Sequence, residues 1–354
     1  MKLYYVVNAR VPNEKAHAIQ IAKMCEAFIE EGAEVTLIAP ARRNTGQSLR
    51  EFYGLRVSVP LVRLPVIDLY YRLGRFGFAV SSASFMASYT VYLWWKRLCG
   101  ERFALYAVDM DTFSFALLPL SGPCFIEIHG RKPATFLNRL FFRRARAIAT
   151  NGPIAADLEK KFPMSGSRRT IEPNGVDDAV LKNELSKQEA RRRLNLPPDA
   201  PFALYAGRIY AWKGLEILAD AAADSPLPLR IVGGTREEYE RIVGASGARI
   251  DFRGVRPAGE MPLWIAAADA LLVLGTARNE DSYLFTSPMK VFEYFAARRP
   301  VVASATPALK DMVPHEAVWW YEPDDASSLN AALAAAYTAG SEAEGKVQAG
   351  YEAA

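Results

Sequence analysis

The sequence predicts an α/β protein made of two Rossmann-like domains. Three observations carry this reading. Short apolar runs alternate with stretches whose apolar residues recur at helical spacing. Several runs end in glycine-bearing turns, among them Gly130, Gly207 and Gly233-Gly234. And 354 residues is long for one hydrophobic core but comfortable for two, with the boundary expected between residues 1–175 and 176–354.

The first domain opens with the apolar run Leu3–Val7, entered directly from Met1-Lys2, so no leader peptide is expected. A polar loop from Asn8 to Lys15 follows, then an amphipathic helix ending at Gly32 and a strand from Val35 to Ala39. This βαβ unit lacks the GxGxxG fingerprint, which disfavours a dinucleotide-binding domain. Residues 76–95 carry no charge over about 20 positions, the nominal length of a membrane span. Five hydroxyl residues dilute that run, and it lies between two strand-like segments. A long helix with one face in the core is therefore preferred, and its Arg and Trp flanks would suit contact with lipid headgroups. A strand at 103–108 ends in Asp109-Met110-Asp111, read as loop polarity rather than a metal site. Another strand, Pro123–Ile128, ends in Glu127-Ile128-His129-Gly130, placing His129 at the carboxyl end of a parallel strand, where α/β sheets hold ligands. A basic helix is expected from Leu137 to Ala147. The segment Glu172-Pro173-Asn174-Gly175 reads as a tight turn with positive φ at the entrance to the linker.

In the second domain Ser186 caps a helix reaching Leu194, with Glu189 completing a capping box. A strand from Pro201 to Ala206 leads into Gly207-Arg208, and Lys213 stands at the mouth of the next helix. Two cations around a glycine loop suit a diphosphate leaving group, whose developing charge needs neutralising without a proton. Further strands are expected at 229–232, 248–252, 270–274 and 300–304. In the run Thr286–Ser304, Ser287 reads as an N-cap and Pro288 as the first helical residue, which would leave free N–H groups for an anion. Phe292 and Phe295 face the core while Glu293 points away, its carboxylate suited to ribose hydroxyls.

The Ser-Pro-x-Lys-x-x-Glu-Tyr run at 287–294, the Gly-Arg…Lys-Gly segment at 207–214 and the Pro-Asn-Gly-Val-Asp run at 173–177 together resemble retaining nucleotide-sugar glycosyltransferases of glycosyltransferase family 4. The resemblance runs along nearly the whole chain. It implies the GT-B fold, with two Rossmann-like domains facing each other across a cleft. The first would be the acceptor side, and the second would bind the nucleotide-sugar donor. By the same resemblance His129, Arg208 and Lys213 would be catalytic, and Glu293, Ser287, Thr286, Gly207 and Val255 would hold the donor. Asn8, Arg10, Lys15 and His17 are candidates for acceptor or phosphate contact. Two departures matter. Phe285 stands where the family pattern has a second Glu, leaving Glu280, Asp281 or Thr286 to contribute to sugar recognition. The chain also ends after an Ala-rich helix, 326–339, without the further Trp-bearing helix the family implies, which leaves truncation as one reading.

The net charge of +4 conceals an asymmetry. Residues 1–175 carry 24 Lys+Arg against 14 Asp+Glu, whereas residues 176–354 carry 19 against 25. A basic first half suggests an anionic membrane surface or a lipid-linked acceptor rather than nucleic acid, since no recognition module is present. The three cysteines, Cys25, Cys99 and Cys124, lack CxxC spacing and are expected to be buried, reduced thiols of a cytoplasmic protein, peripheral on the inner face of the membrane. The expected activity is metal-independent transfer of a sugar, with retention, from a UDP- or GDP-sugar to a glycan or lipid-linked acceptor in surface polysaccharide or glycolipid synthesis. No cofactor is expected, the nucleotide-sugar being a co-substrate. Two rivals remain: a non-catalytic nucleotide-sugar-binding or scaffold protein, and a nucleotide-sugar 2-epimerase of the same fold.

Overall fold

A computed structural model describes the whole chain except residues 14–15, 43–45, 109–112, 163, 165 and 183–184, and gives only the backbone at 16, 70–72, 178–179 and 258. It divides the chain into two compact units, residues 1–150 with 154–172, and residues 151–153 with 173–354.

The first unit holds a seven-stranded parallel sheet in the order β3-β2-β1-β4-β5-β6-β7. Its strands are β1 (Lys2–Val6), β2 (Glu34–Pro40), β3 (Leu61–Leu64), β4 (Ala104–Val108), β5 (Cys124–Ile128), β6 (Arg146–Ala149) and β7 (Arg169–Ile171). Strand side chains alternate between faces, so Leu3, Tyr5 and Val7 pack with Ile21, Ala22 and Cys25 of the helix Ala16–Glu30. The uncharged run lies in the helix Tyr70–Leu98, which bends at Leu73-Gly74, where Gly74 takes a φ of 51°. Phe85, Tyr89 and Leu93 are fully buried along one stripe of it. Among the described residues, no helix is long and apolar enough to cross a membrane.

Three expectations need correction here. The basic helix spans only Phe136–Phe142, because Ala147 belongs to β6, paired with Ile126. Cys99 is exposed just past the long helix, while Cys25 and Cys124 are buried. Neither Asn174 nor Gly175 takes positive φ. Asn174 is buried instead and works through its side chain.

The second unit holds a six-stranded parallel sheet in the order β10-β9-β8-β11-β12-β13. Its strands are β8 (Ala203–Ala206), β9 (Leu229–Val232), β10 (Asp251–Phe252), β11 (Ala270–Val273), β12 (Val301–Ser304) and β13 (Trp319–Tyr321). Leu204, Leu271 and Val301 pack with Phe292 and Phe295 on one face. Ala203, Tyr205 and Val302 pack with Leu218, Tyr239 and Leu333 on the other. Ser186 caps its helix by accepting from the Glu189 N–H, but the Glu189 carboxylate bonds Arg192 and Arg193, so the box is only half made. After the Ala-rich helix Ala326–Thr338 comes one more, Ser341–Glu352, whose Gly350 lies so close to Phe295 that a Cβ there would fall 2.6 Å from its ring.

Candidate active site

In each sheet the strand order reverses once, between β1 and β4 in the first unit and between β8 and β11 in the second. Such switch points splay the loops at the carboxyl ends of adjacent strands and open a crevice there. Most of the candidate residues fall at or beside these two places.

At the second-unit switch point β8 ends in Gly207, whose φ of 150° and crowded surroundings admit no side chain. A Cβ at Gly207 would lie 2.9 Å from Lys290 Nζ, and one at Gly233 would lie 2.3 Å from the Gly207 carbonyl oxygen. The loop after β8 makes a single 3-10 turn, Ala211–Lys213, closed by Gly214 at a φ of 71°. That turn returns Lys213 to the strand end, where its ammonium lies 5.4 Å from the Tyr210 ring centroid and 5.2 Å from that of Trp212. Burial pushes the Lys213 amine below its ordinary range. Lys213, Trp212, Tyr205, Thr286, Pro288 and Lys290 line one pocket, together with the end of β11. Arg208 is exposed on this loop.

The loop carrying Thr286 and Ser287 is held from the chain's crossing segments. Asn151 Nδ2 donates to the Thr286 carbonyl at 3.1 Å. Asn174 Nδ2 donates to the Ser287 carbonyl at 2.9 Å and to its hydroxyl at 2.8 Å. Ser287 is therefore occupied with Asn174 and does not cap the helix, which spans Lys290–Ala296 with Met289 before it and no side-chain cap. The expected anion site at a helix N-terminus is displaced, because the first turn starts two residues later than Pro288 suggests. The helix is fixed to β8 through Tyr294, whose hydroxyl accepts from the Ala206 N–H at 3.1 Å.

On this anchored helix Lys290 and Glu293 stand three residues apart, on one side. Burial pushes the Lys290 amine well below its ordinary value, the nearby Lys213 adds to this, and Glu293 opposes it. Burial likewise raises the Glu293 carboxyl, against the pull of Lys290. No hydrogen bond or ion pair reaches the Glu293 carboxylate among the described residues. Val255 is 71% exposed, on a loop where Gly254 takes a φ of 69° and its carbonyl accepts from Gly233 at 2.8 Å. Beside that loop lies an open hollow of about 330 Å³ lined by Thr235, Arg236, Glu237, Asp251, Phe252 and Gly254.

In the first unit His129 follows β5, next to the switch point. Its Nε2 lies 2.6 Å from Glu127 Oε1. Glu127 also accepts from Tyr106 Oη at 2.8 Å and from Gln20 Nε2 at 2.9 Å. Burial alone would raise the Glu127 carboxyl, but the bonds from His129, Tyr106 and Gln20 outweigh it and hold the group below its usual range. An ionised carboxylate can only accept, so His129 Nε2 carries the proton and Nδ1 is left for another partner. Asn8 is buried and fully engaged, donating to Ser82 and Ser114 and accepting from Arg42. Arg10 is exposed, with its carbonyl bonded by the Asn13 side chain, and His17 is half-buried at the start of its helix. Lys15 lies outside the described residues, as do Asp109 and Asp111.

The structure thus brings Lys213 and Thr286 into one pocket, with Gly207 beside the Lys290 that lines it, sets Glu293 on the same helix as Lys290 and leaves Val255 on a separate loop. Sequence reasoning assigned no role to Lys290 or Glu127. Lys290 had one signal, its helical spacing from Glu293 beside core residues Val291 and Phe292. Glu127 had none, since only the sheet brings Tyr106 and Gln20 onto it.

Comparison with known proteins gives this geometry a class. Residues 200–339 match the family described as glycosyl transferases group 1. Over 182 residues, 47% of this chain and 42% of the relative, the sequence is 30% identical to the D-inositol 3-phosphate glycosyltransferase of Xylanimonas cellulosilytica. Over 179 residues, 49% of this chain and 43% of the relative, it is 27% identical to the putative teichuronic acid biosynthesis glycosyltransferase TuaC of Bacillus subtilis. The chain spans less than half the length of these curated relatives. Among solved structures, sucrose-phosphate synthase from Thermosynechococcus elongatus superposes with a TM-score of 0.74 at 20% identity, covering 99% of this chain and 93% of that one. Anabaena HepE in complex with UDP-glucose superposes with a TM-score of 0.67 at 16% identity, covering 99% and 94%. The chain has the GT-B fold, and residues 200–339 of its second unit match the group 1 glycosyltransferases.

Proposed function

We propose that this protein is a retaining, metal-independent glycosyltransferase that takes a sugar from a nucleoside diphosphate donor held on its second unit. The observation that carries the reading is Lys213, a cation pressed out of water at the β8–β11 switch point, within the stretch that matches the family. A group held there is preorganised, so it stabilises charge as the glycosidic bond to phosphate breaks and costs no solvent reorganisation. Arg208, exposed beside it, adds a second charge to the departing diphosphate. Glu293 binds the ribose, since its carboxylate is half-buried and meets no protein donor among the described residues. Backbone groups at Val255 read the base. The GT-B likeness to HepE, a structure that contains UDP-glucose, supports a UDP-sugar as the first donor to try.

The first unit is the acceptor side. His129, oriented by Glu127, presents Nδ1 at the end of β5, Asn8 braces the neighbouring loop, and Arg10 and His17 contact the acceptor. The helix Tyr70–Leu98 has a second apolar stripe besides its buried one, with Val91, Trp94, Trp95 and Leu98 at i, i+3, i+4 and i+7 and all more than half exposed. Lys96 and Arg97 flank it, and Phe136 is 78% exposed on the short basic helix. An apolar face of this kind with cations beside it suits an anionic lipid surface, and with it a lipid-linked acceptor.

The test is a thermal-shift panel of UDP-, GDP-, ADP- and TDP-sugars, followed by turnover of the donor that binds. A ligand at 100 times its dissociation constant stabilises by about 2.7 kcal/mol, which is readily seen. No shift with any of the four would sink the donor reading. A second reading, binding without catalysis, is favoured by Phe285, a buried hydrocarbon where the family resemblance places a carboxylate. Donor binding with neither transfer nor hydrolysis would select it.

A further inference from the structure

The pocket at the end of β8 contains a lysine that the donor reading does not use. Lys290 Nζ lies 3.9 Å from the centroid of the Tyr205 ring and beside the bare face of Gly207. Lys213 Nζ lines the same pocket. Among the described residues no hydrogen bond or ion pair reaches either ammonium. Glu293, the nearest acid on the same helix, stays beyond ion-pair distance of Lys290. Two lysines so placed repel each other, and burial penalises both. A fold keeps such an arrangement when the missing counter-charge arrives with a ligand.

The surroundings narrow that ligand's chemistry. The cations sit at a strand-end glycine, where a backbone can approach closely, and Thr286 and Ser282 add polar groups to the lining. Tyr294 ties the helix to Ala206, so Lys290 is held in place rather than trailing in solvent. Three residues along an α-helix is about 4.5 Å of rise, which sets Lys290 roughly one phosphate's width from Glu293. If Glu293 takes a ribose, the group reaching Lys290 is the phosphate chain.

Resting on the donor reading above, we propose that Lys290 is a further binding residue of this site, closing with Lys213 on the diphosphate of the nucleotide. The tyrosine ring holds the ammonium from behind through its π face, which leaves the N–H donors directed at the phosphate oxygens.

The experiment compares wild type with Lys290→Met, which keeps the side-chain stem and removes only the charge. Titration calorimetry is run with UDP, GDP, ADP and TDP and with the nucleoside of whichever diphosphate binds. The expected result is a rise of at least tenfold in Kd for the diphosphate, with the nucleoside's Kd within twofold of wild type. Without ligand, Lys290→Met is expected to melt about 2–4 °C higher, because a buried charge has been replaced by hydrocarbon. Equal losses for diphosphate and nucleoside, or no loss for either, overturn the proposal while leaving the donor reading standing. A wild-type protein that binds none of the four diphosphates overturns the donor reading, and this inference with it. Should Lys290→Met fold poorly, Lys290→Gln provides the same comparison.

Discussion

The two units each set a glutamate near a switch point, and they treat it in opposite ways. Glu127 accepts hydrogen bonds from Tyr106 and Gln20 and pairs with His129, so its carboxylate is satisfied within the fold. Glu293 is half-buried, yet no described residue bonds its carboxylate and desolvation raises its carboxyl. A satisfied buried carboxylate rigidifies and orients; an unsatisfied one is a cost that a ligand's hydroxyls can offset. The lysines behave as Glu293 does. The second unit is thus a site held open at the expense of stability, and the first is one already closed around its own positioning residue.

Several substitutions would break or sharpen this contrast. The largest effect is expected from Lys213→Ala, with turnover of the nucleotide-sugar falling about 10²–10³-fold, as when a preorganised charge-stabilising donor is removed. Its melting temperature should hold or rise. An unchanged steady-state rate would count against the charge-stabilising role. Glu293→Gln should weaken donor binding about tenfold or more, consistent with loss of a charged hydrogen bond worth ~1.5–3 kcal/mol, and hold or raise unliganded stability at neutral pH. Glu127→Gln should do the reverse in order of cause. Stability falls by about 1–3 kcal/mol through the broken network, and kcat falls while the donor KM holds, because His129 loses the carboxylate that orients its ring. An unmoved kcat in Glu127→Gln would reduce Glu127 to a packing role.

The two carboxyls also predict opposite pH dependences. Glu127 is depressed below its unfolded value, so the stability it contributes is present above about 4.5 and lost as pH falls through its folded value. Glu293 is raised, so its contribution is present below about 4.5 and lost as pH rises through its folded value. Chemical denaturation of Glu127→Gln and Glu293→Gln across pH 3–7 should therefore flatten the stability curve on opposite sides of that point. The smallest effect is expected from Asn174→Ala, about 1 kcal/mol for the bonds to Ser287, seen as a modest drop in melting temperature and a looser donor site.

The sequence by itself determined most of the architecture. Strands buried on both faces read as continuous apolar runs, and β1, β4, β8, β11 and β12 were visible for that reason. The glycine loop with Lys213 and the helix carrying Glu293 were legible because close backbone approach and charge leave local signatures. Local pattern failed where neighbours in space decide. The basic helix read as running to Ala147 ends at Phe142, since pairing with β5 turns Ala147 into strand. Ser287 and Pro288 have the composition of a helix start, but Asn174 takes the serine and the helix begins at Lys290. The status of the ionisable groups was the part only tertiary structure could decide. Whether Glu127 and Glu293 are satisfied, and whether Lys213 and Lys290 share a pocket, depends on groups brought together by the sheet from far along the chain. Desolvation and hydrogen bonding are properties of that assembled surrounding, and no stretch of sequence contains them.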